Sequence, residues 1–208
     1  MPAPSRDWKS NPSPMATSGE TNDAELIARI GAADQEAFET LYKRYYPKLF
    51  RFSFRVTRRL DQIEEIINDV MFVVWNKAQS YRPEARPSTW IFGIAYKKCL
   101  KSIADRPQAE HLELEDADHL IPGVQDSGLK NLEIADWIAV AFGKLPADQR
   151  AVLELTYHHG LQYQEIAAIM DCPENTVKTR MFHARKKIKA LFPDLLTEPN
   201  ADFLGNVL

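Results

Sequence analysis

Apolar residues recur along this chain at intervals of three and four, with polar residues between them, and that period predicts helices. The clearest run is Ile63, Ile66, Ile67, Val70, Val73 and Val74, with Asp61, Glu64, Glu65, Asn68 and Asp69 on the opposite face. Ahead of it, Asn22 with Glu25 three residues later reads as a capping box opening a short helix, and Gly31 as its stop. Asp34 then caps a second helix carrying Phe38, Leu41, Tyr42, Tyr45 and Leu49. Pro83 and Pro87 force a break after Tyr81, and Ser88 is a suitable N-cap for a fourth helix from Thr89 to about Ile103. Further on, Leu132, Trp137, Ile138 and Ala141 line one helix that ends at Leu145-Pro146. Asp148 to Tyr157 forms another, stopped by His158-His159-Gly160. No strand-like alternation competes and no repeat recurs at a fixed period, so the expected class is all-α.

The breakers divide the chain. Residues 1–21, with four prolines and several serines, have a composition that cannot repay the entropy of ordering, and read as a disordered arm. A first helical unit is expected over 22–104, a connector over 105–128, a second unit over 129–192, and a tail over 193–208. Charge sharpens this picture. The whole chain of 208 residues is nearly neutral, with 26 Lys and Arg against 29 Asp and Glu. Locally the balance splits. Between Asp105 and Gly128 seven carboxylates face Arg106 alone, as expected of a solvated acidic linker. Fully extended, such a stretch reaches roughly 80 Å, about two turns of duplex or more, so two units can hold separate sites on one duplex. Between Glu174 and Leu191 six cations face Glu174 alone, the charge of a nucleic-acid footprint.

That basic stretch belongs to a recognisable motif. Leu161 to Met170 reads as a short helix, Asp171-Cys172 as a tight turn, and Pro173 as the first position of a new helix, where its missing N–H costs nothing. Val177, Met181, Ala184, Ile188 and Leu191 make a stripe for burial, leaving Asn175, Lys178, Thr179, Phe182, His183 and Lys186 outward. Two short helices across a three-residue turn, the second polar and basic outside, form a helix-turn-helix whose second helix fits the major groove. Lys178, Thr179 and Arg180 have the chemistry to bond base edges or phosphates, and Phe182 can pack on a thymine methyl. Arg185, Lys186, Lys187 and Lys189 suit phosphates or solvent.

Composition removes other classes. Apolar residues make up 45% of the chain, enough for packed cores, and no apolar run approaches a membrane span. Nothing at the start resembles an export signal, and two cysteines, Cys99 and Cys172, fit a reducing cytoplasm. Phosphate-cradling, nucleophile-elbow and zinc-protease motifs are missing, so no enzyme, cofactor or metal is expected. Cys172 with His183, or His158 with His159, lacks the paired spacing of a metal site. The competing reading is a stand-alone helix-turn-helix regulator with an N-terminal sensing or dimerisation domain.

Taken together, Tyr163-Gln-Glu-Ile-Ala, Pro173 and Thr176-Val177-Lys178-Thr179-Arg180 followed by Ala184-Arg185 resemble the −35-reading domain of the extracytoplasmic-function (ECF) group of bacterial sigma factors. Ile63 to Trp75 resembles that family's polymerase-docking helix, and Ser88-Thr89-Trp90-Ile91-Phe92-Gly93-Ile94-Ala95 its −10-element helix. The resemblance implies two domains, sigma-2-like and sigma-4-like, that direct core RNA polymerase to promoter DNA in the bacterial cytoplasm. It implies docking on the β′ clamp helices, for which Asp61, Glu64, Glu65, Asn68 and Asp69 are the candidates. It also implies capture of melted −10 DNA, with Trp90 stacking on a base, Lys97, Lys98 and Lys101 holding phosphates, and Arg82 and Arg86 flanking the loop. Trp90 has an equally ordinary alternative as a core residue. An anti-sigma protein is a further implied partner. The chain departs from the family at Gly93, where an Arg is common, near Lys97, where an Asn is frequent, and at Val73, where a basic residue is usual.

Overall fold

The computed structural model describes residues 18–105 and 141–191, and these are helical throughout with short turns between. The arm, the acidic linker, the tail and the helix expected around Leu132, Trp137 and Ile138 lie outside the described residues. Helix α1 is Ser18–Gly31, α2 is Gln35–Thr57, α3 is Ile63–Lys77 and α4 is Pro87–Asp105. In the rear unit α5 is Ala147–Leu153, a π-turn covers Glu154–His158, α6 is Tyr163–Met170 and α7 is Glu174–Leu191.

Local chemistry sets most of these ends. Asp34 caps α2 by accepting from the Ala37 N–H at 3.0 Å. Arg58 closes α2 in the left-handed region, its N–H reaching the Phe54 carbonyl at 2.7 Å. Two starts differ from the sequence expectation. Helix α1 begins at Ser18, so Asn22 lies inside it rather than at its start. Helix α4 begins at Pro87, whose fixed φ and absent N–H suit the first helical position, so Ser88 sits within the first turn and the Arg86 carbonyl accepts from Trp90.

The front unit packs α1 to α4 around Tyr45, Leu49, Phe52, Ile63, Ile67, Val70, Ile91 and Phe92, all essentially inaccessible to water. Phe52 and Phe92 meet edge to face at 5.2 Å, which adds about 1 kcal/mol to their burial. Buried Asp23 on α1 accepts from the Tyr45 hydroxyl at 2.9 Å and pairs with Arg44, tying α1 to α2. The rear unit buries Val152, Leu155, Ile166, Val177, Met181 and Ala184. Leu191, expected in that stripe, is exposed because it is the last residue of α7.

The length of the linker leaves the two units free to hold separate sites, yet the described residues form one continuous apolar cluster running through both. Helix α6 lies on α4, and α5 lies on the C-terminal half of α2. The Arg150 guanidinium reaches out of α5 to the Val56 carbonyl of α2 (Nη2 at 2.6 Å, Nε at 3.1 Å) and also holds its own Leu145 carbonyl at 2.9 Å. Burial lowers its pKa to about 10, still charged at neutral pH, so it satisfies the Val56 carbonyl at the end of α2 with a full positive charge. Arg51 meets Glu154, Arg55 lies over the Phe142 ring at 4.8 Å, and Phe92 touches His159 at 4.3 Å between ring centroids.

Candidate nucleic-acid interface

Three surfaces carry the chemistry singled out in the sequence. The first is the outer face of α7. The capping interaction that starts α6 runs from the Gln162 N–H to Glu165 Oε2 at 2.9 Å, and Asp171 turns the chain in the left-handed region at φ 53°. The Pro173 carbonyl then accepts from Thr176 and Val177, launching α7 with Val177, Met181, Ala184 and Ile188 buried. Asn175, Lys178, Thr179, Phe182, His183 and Lys186 are all exposed, Phe182 at 63%. An apolar ring this open on a basic helix face has the chemistry to pack on an apolar group such as a thymine methyl.

Several of the cations of α7 are engaged within the protein. Lys178 pairs with Glu174 one turn back at 2.7 Å, on the surface, where the pair exchanges readily for a phosphate. Arg180 differs. It is only 25% exposed, with Nε 2.9 Å from Asp148 of α5 and Nη1 3.5 Å from the Cys172 sulfur. Its guanidinium braces the helix-turn-helix against α5 rather than standing outward, a distinction that residue type and spacing do not reveal. Arg185 is similarly used: it donates from Nε to the Tyr157 hydroxyl at 2.8 Å and lies over that ring.

The second surface is α3 with the aromatic side of α2. Asp61, Glu64, Glu65 and Asn68 are exposed, and Asp69 half so. Tyr46 donates to Glu64, whose carboxylate raises the phenol to about 12, and Tyr42 donates weakly to Asn68 at 3.4 Å. Tyr42, Tyr46 and Phe50 follow one another along α2 with ring centroids about 6 Å apart. Phe72 stands 68% exposed on α3. These aromatics were missed in the sequence because Tyr42 fits the buried stripe of α2 and Phe72 sits inside a dense apolar run. A carboxylate-rich face bearing an exposed aromatic has the chemistry to meet a basic protein surface, where charge steers an encounter and a ring supplies burial.

The third surface is the loop after Tyr81 and the start of α4. Trp90 is half-buried against Tyr81, centroids 5.3 Å apart, so it is partly core and partly presented. Tyr81 donates its hydroxyl to the Ala85 carbonyl at 2.5 Å, which shapes the loop bearing Arg82 and Arg86. Lys97 and Lys101 are exposed. Lys98 instead bridges to Asp69 of α3 at 2.8 Å, so one residue expected on phosphate and another expected on polymerase neutralise each other. Arg86 reaches across to Glu165 of α6 at 3.3 Å.

Glu154, His158 and His159 bring three metal-type donors within 4.8 Å of one another. Arg51 already answers the Glu154 charge, and Arg55 and Lys48 add positive potential at these histidines, so the surroundings oppose a dication. Among the described residues no helix is long and apolar enough to cross a membrane.

Comparison with known proteins matches both units. The family model for sigma-70 region 2 matches residues 41–107, and that for sigma-70 region 4 matches residues 128–188. The ECF RNA polymerase sigma-E factor of Escherichia coli K12 is 30% identical over 181 residues, 82% of this chain and 94% of that protein. The sigma-H factor of Pseudomonas aeruginosa is 27% identical over 186 residues, 85% of this chain and 96% of that one. Among solved structures, CnrH in complex with the cytosolic domain of CnrY is similar with a TM-score of 0.62, 22% identity and coverage of 83% of this chain and 97% of the other. The sigma factor RpoE of Bartonella quintana, solved with the anti-sigma factor NepR, gives 0.59 at 24% identity, covering 76% of this chain and 97% of the other.

Proposed function

The chain belongs to the ECF sigma factors of the sigma-70 family, and we propose from that premise a division of labour among its three surfaces. As a sigma factor it binds core RNA polymerase, directs it to promoters through −35 and −10 elements, and helps open the DNA. The front unit, which matches sigma-70 region 2, takes the place that a sensing domain would fill in a stand-alone regulator. No bond is made or broken in this work. The protein shifts DNA towards the melted state by binding it better than the duplex.

The face of α3 docks on the β′ clamp helices through Asp61, Glu64, Glu65, Asn68 and Asp69, with Phe72 as its apolar anchor. Helix α7 enters the major groove of the −35 element, with Asn175, Lys178, Thr179, Phe182 and His183 toward bases and Lys186 toward phosphate. Arg180 holds that helix in register. The loop bearing Arg82 and Arg86, Trp90 and the lysines Lys97 and Lys101 receive the opened −10 strand, where each base stacked on an aromatic ring recovers about 1–3 kcal/mol of lost stacking. Lys98 joins them once it leaves Asp69. An anti-sigma protein covering these faces is the fitting regulator, and the cytoplasm, where polymerase works, is the fitting place.

The observation that carries the reading is the exposed basic and aromatic face of α7 on the same chain as an exposed acidic and aromatic face on α3. Reconstitution with core polymerase tests it. Holoenzyme selected on random promoter pools should initiate from a shared pair of elements; a chain that fails to associate with core, yet binds operators tightly as a dimer, overturns it.

A further inference from the structure

The outer face of α7 carries more positive charge than the rest of the fold answers. Lys178 has Glu174, Arg180 has Asp148 and Arg185 has the Tyr157 hydroxyl. Lys186, Lys187 and Lys189 are exposed, with no carboxylate partner among the described residues. Phe182 stands one turn from Lys178 and one turn from Lys186, with 63% of its surface in water. Leu191, the last residue of the helix, is 40% exposed. The result is a strip of mixed cationic and apolar surface that ends where residues 192–208 begin.

Those residues carry the complementary pattern. Asp194, Glu198 and Asp202 stand there against no Lys, Arg or His. Asp194-Leu195-Leu196 and Asp202-Phe203-Leu204 repeat one arrangement, a carboxylate followed by two apolar residues. Pro193, two residues past α7, has no N–H with which to prolong the helix. Fully extended, residues 192–208 span roughly 55 Å, about twice the roughly 27 Å of α7, so they are long enough to run back along the whole helix.

We propose that residues 192–208 fold back on the outer face of α7, with their carboxylates on Lys186, Lys187 and Lys189 and Phe203-Leu204 on Phe182, so that the chain carries its own competitor for DNA phosphates. The consequence rests on the reading of α7 as the −35 helix, but the docking itself needs no DNA. The linker between the two units is acidic as well, yet residues 192–208 alone are joined directly to α7. A segment tethered to the helix it covers has a millimolar effective concentration, so a contact with an intrinsic dissociation constant of about 0.1 mM is closed about ten times as often as open. Duplex must displace the segment before it reaches the lysines, and its affinity falls by that factor whatever its sequence. Random duplex, held by phosphate contacts, is thereby turned away. A holoenzyme already held at its −10 contacts meets the −35 element at high local concentration and displaces the segment there.

The test compares the full chain with a variant of equal length, Asp194→Asn with Glu198→Gln and Asp202→Asn. A carbodiimide joins a carboxylate to an amine in contact with it. In dilute parent protein it should link Asp194, Glu198 or Asp202 to Lys186, Lys187 or Lys189, located by peptide mass spectrometry. The Lys178–Glu174 pair, 2.7 Å apart, should cross-link in both chains and reports an intact α7. The neutralised variant should bind a random-sequence duplex about tenfold more tightly than the parent at low salt, and the gap should shrink below about twofold at high salt, where exposed charges are screened. Cross-links from α7 to linker carboxylates instead, or cross-links that form only at high protein concentration and so join two copies, overturn the proposal. Equal, measurable duplex affinity in the two chains overturns it too. If neither chain binds any duplex, free or in holoenzyme, while the cross-links persist, the −35 role of α7 fails and the docking stands.

Discussion

Arg51 and Glu154, 103 residues apart in sequence, meet with Nε 2.7 Å from Oε1, the carboxylate wholly buried and the arginine side chain 11% exposed. The pair joins α2 to the π-turn of the rear unit. Its second carboxylate oxygen has no hydrogen-bond partner, so the buried charge depends chiefly on the direct contact with Arg51. Removing Arg51 strands that charge. Arg51→Met should therefore destabilise the folded protein by about 3 kcal/mol or open the seam to hydrate Glu154. Arg51→Met with Glu154→Leu should recover most of the loss. Thermal unfolding of the two variants beside the parent measures both.

His159 sets a pH dependence. Burial pushes its pKa well below the usual value near 6.5; nearby His158, Arg51 and Lys48 act the same way, while Phe92 covers the ring. Burial pushes His158 down too, against the opposing pull of Glu154. A neutral imidazole in the folded state and a protonatable one in the unfolded state mean that the unfolded chain binds more protons at low pH. This stability is present above pH 6.5 and falls as pH drops from there toward the lowered value. The slope is at most about 1.4 kcal/mol per pH unit for each histidine. The melting temperature should fall between pH 7 and pH 5.5, and His159→Gln should flatten that fall more than His158→Gln does.

The cysteines should react unequally. Cys99 is fully buried and desolvation raises its thiol to about 12, whereas Cys172 is half-buried at the turn before α7. Thiolate is the reactive form. One equivalent of iodoacetamide should enter the native protein at pH 7.5, all of it at Cys172 by peptide mass spectrometry, with Cys99 modified only after denaturation.

Phe182 and Arg180, two residues apart on α7, should separate recognition from support. Phe182→Ala should leave thermal stability within about 0.5 kcal/mol, since the ring is exposed, and cost the holoenzyme about 1–3 kcal/mol at its preferred −35 sequence. Arg180→Ala should lower the melting temperature, because it removes the contacts to Asp148 and Cys172. Lys186→Ala should weaken binding to all sequences alike and reduce the salt dependence by roughly one ion.

Phe72→Ala should weaken association with core polymerase by about 2 kcal/mol, as truncation of an interface anchor does, and leave the unfolding curve in place. Glu64→Lys should slow association more at low salt than at high salt, as expected when charge steers the encounter. Titration of labelled protein with core enzyme at two ionic strengths measures both.

What the sequence alone determined about this protein is what repeats over short distances. Ile63 to Val74 announces α3, Asp34 announces the start of α2, and Pro173 with Val177, Met181 and Ala184 announces a helix-turn-helix with a basic outer face, because caps, periods and turns act within a few residues. Which cations face outward was not legible there. Arg180 and Lys178 have the same charge and neighbouring positions, yet Arg180 finds Asp148 and Lys178 stays near solvent, a choice made by where α5 lies. The tertiary structure alone decided that Lys98 answers Asp69 and that Arg150 covers the end of α2. Each joins residues that are distant in the chain and depends on the space between helices, which no local pattern encodes.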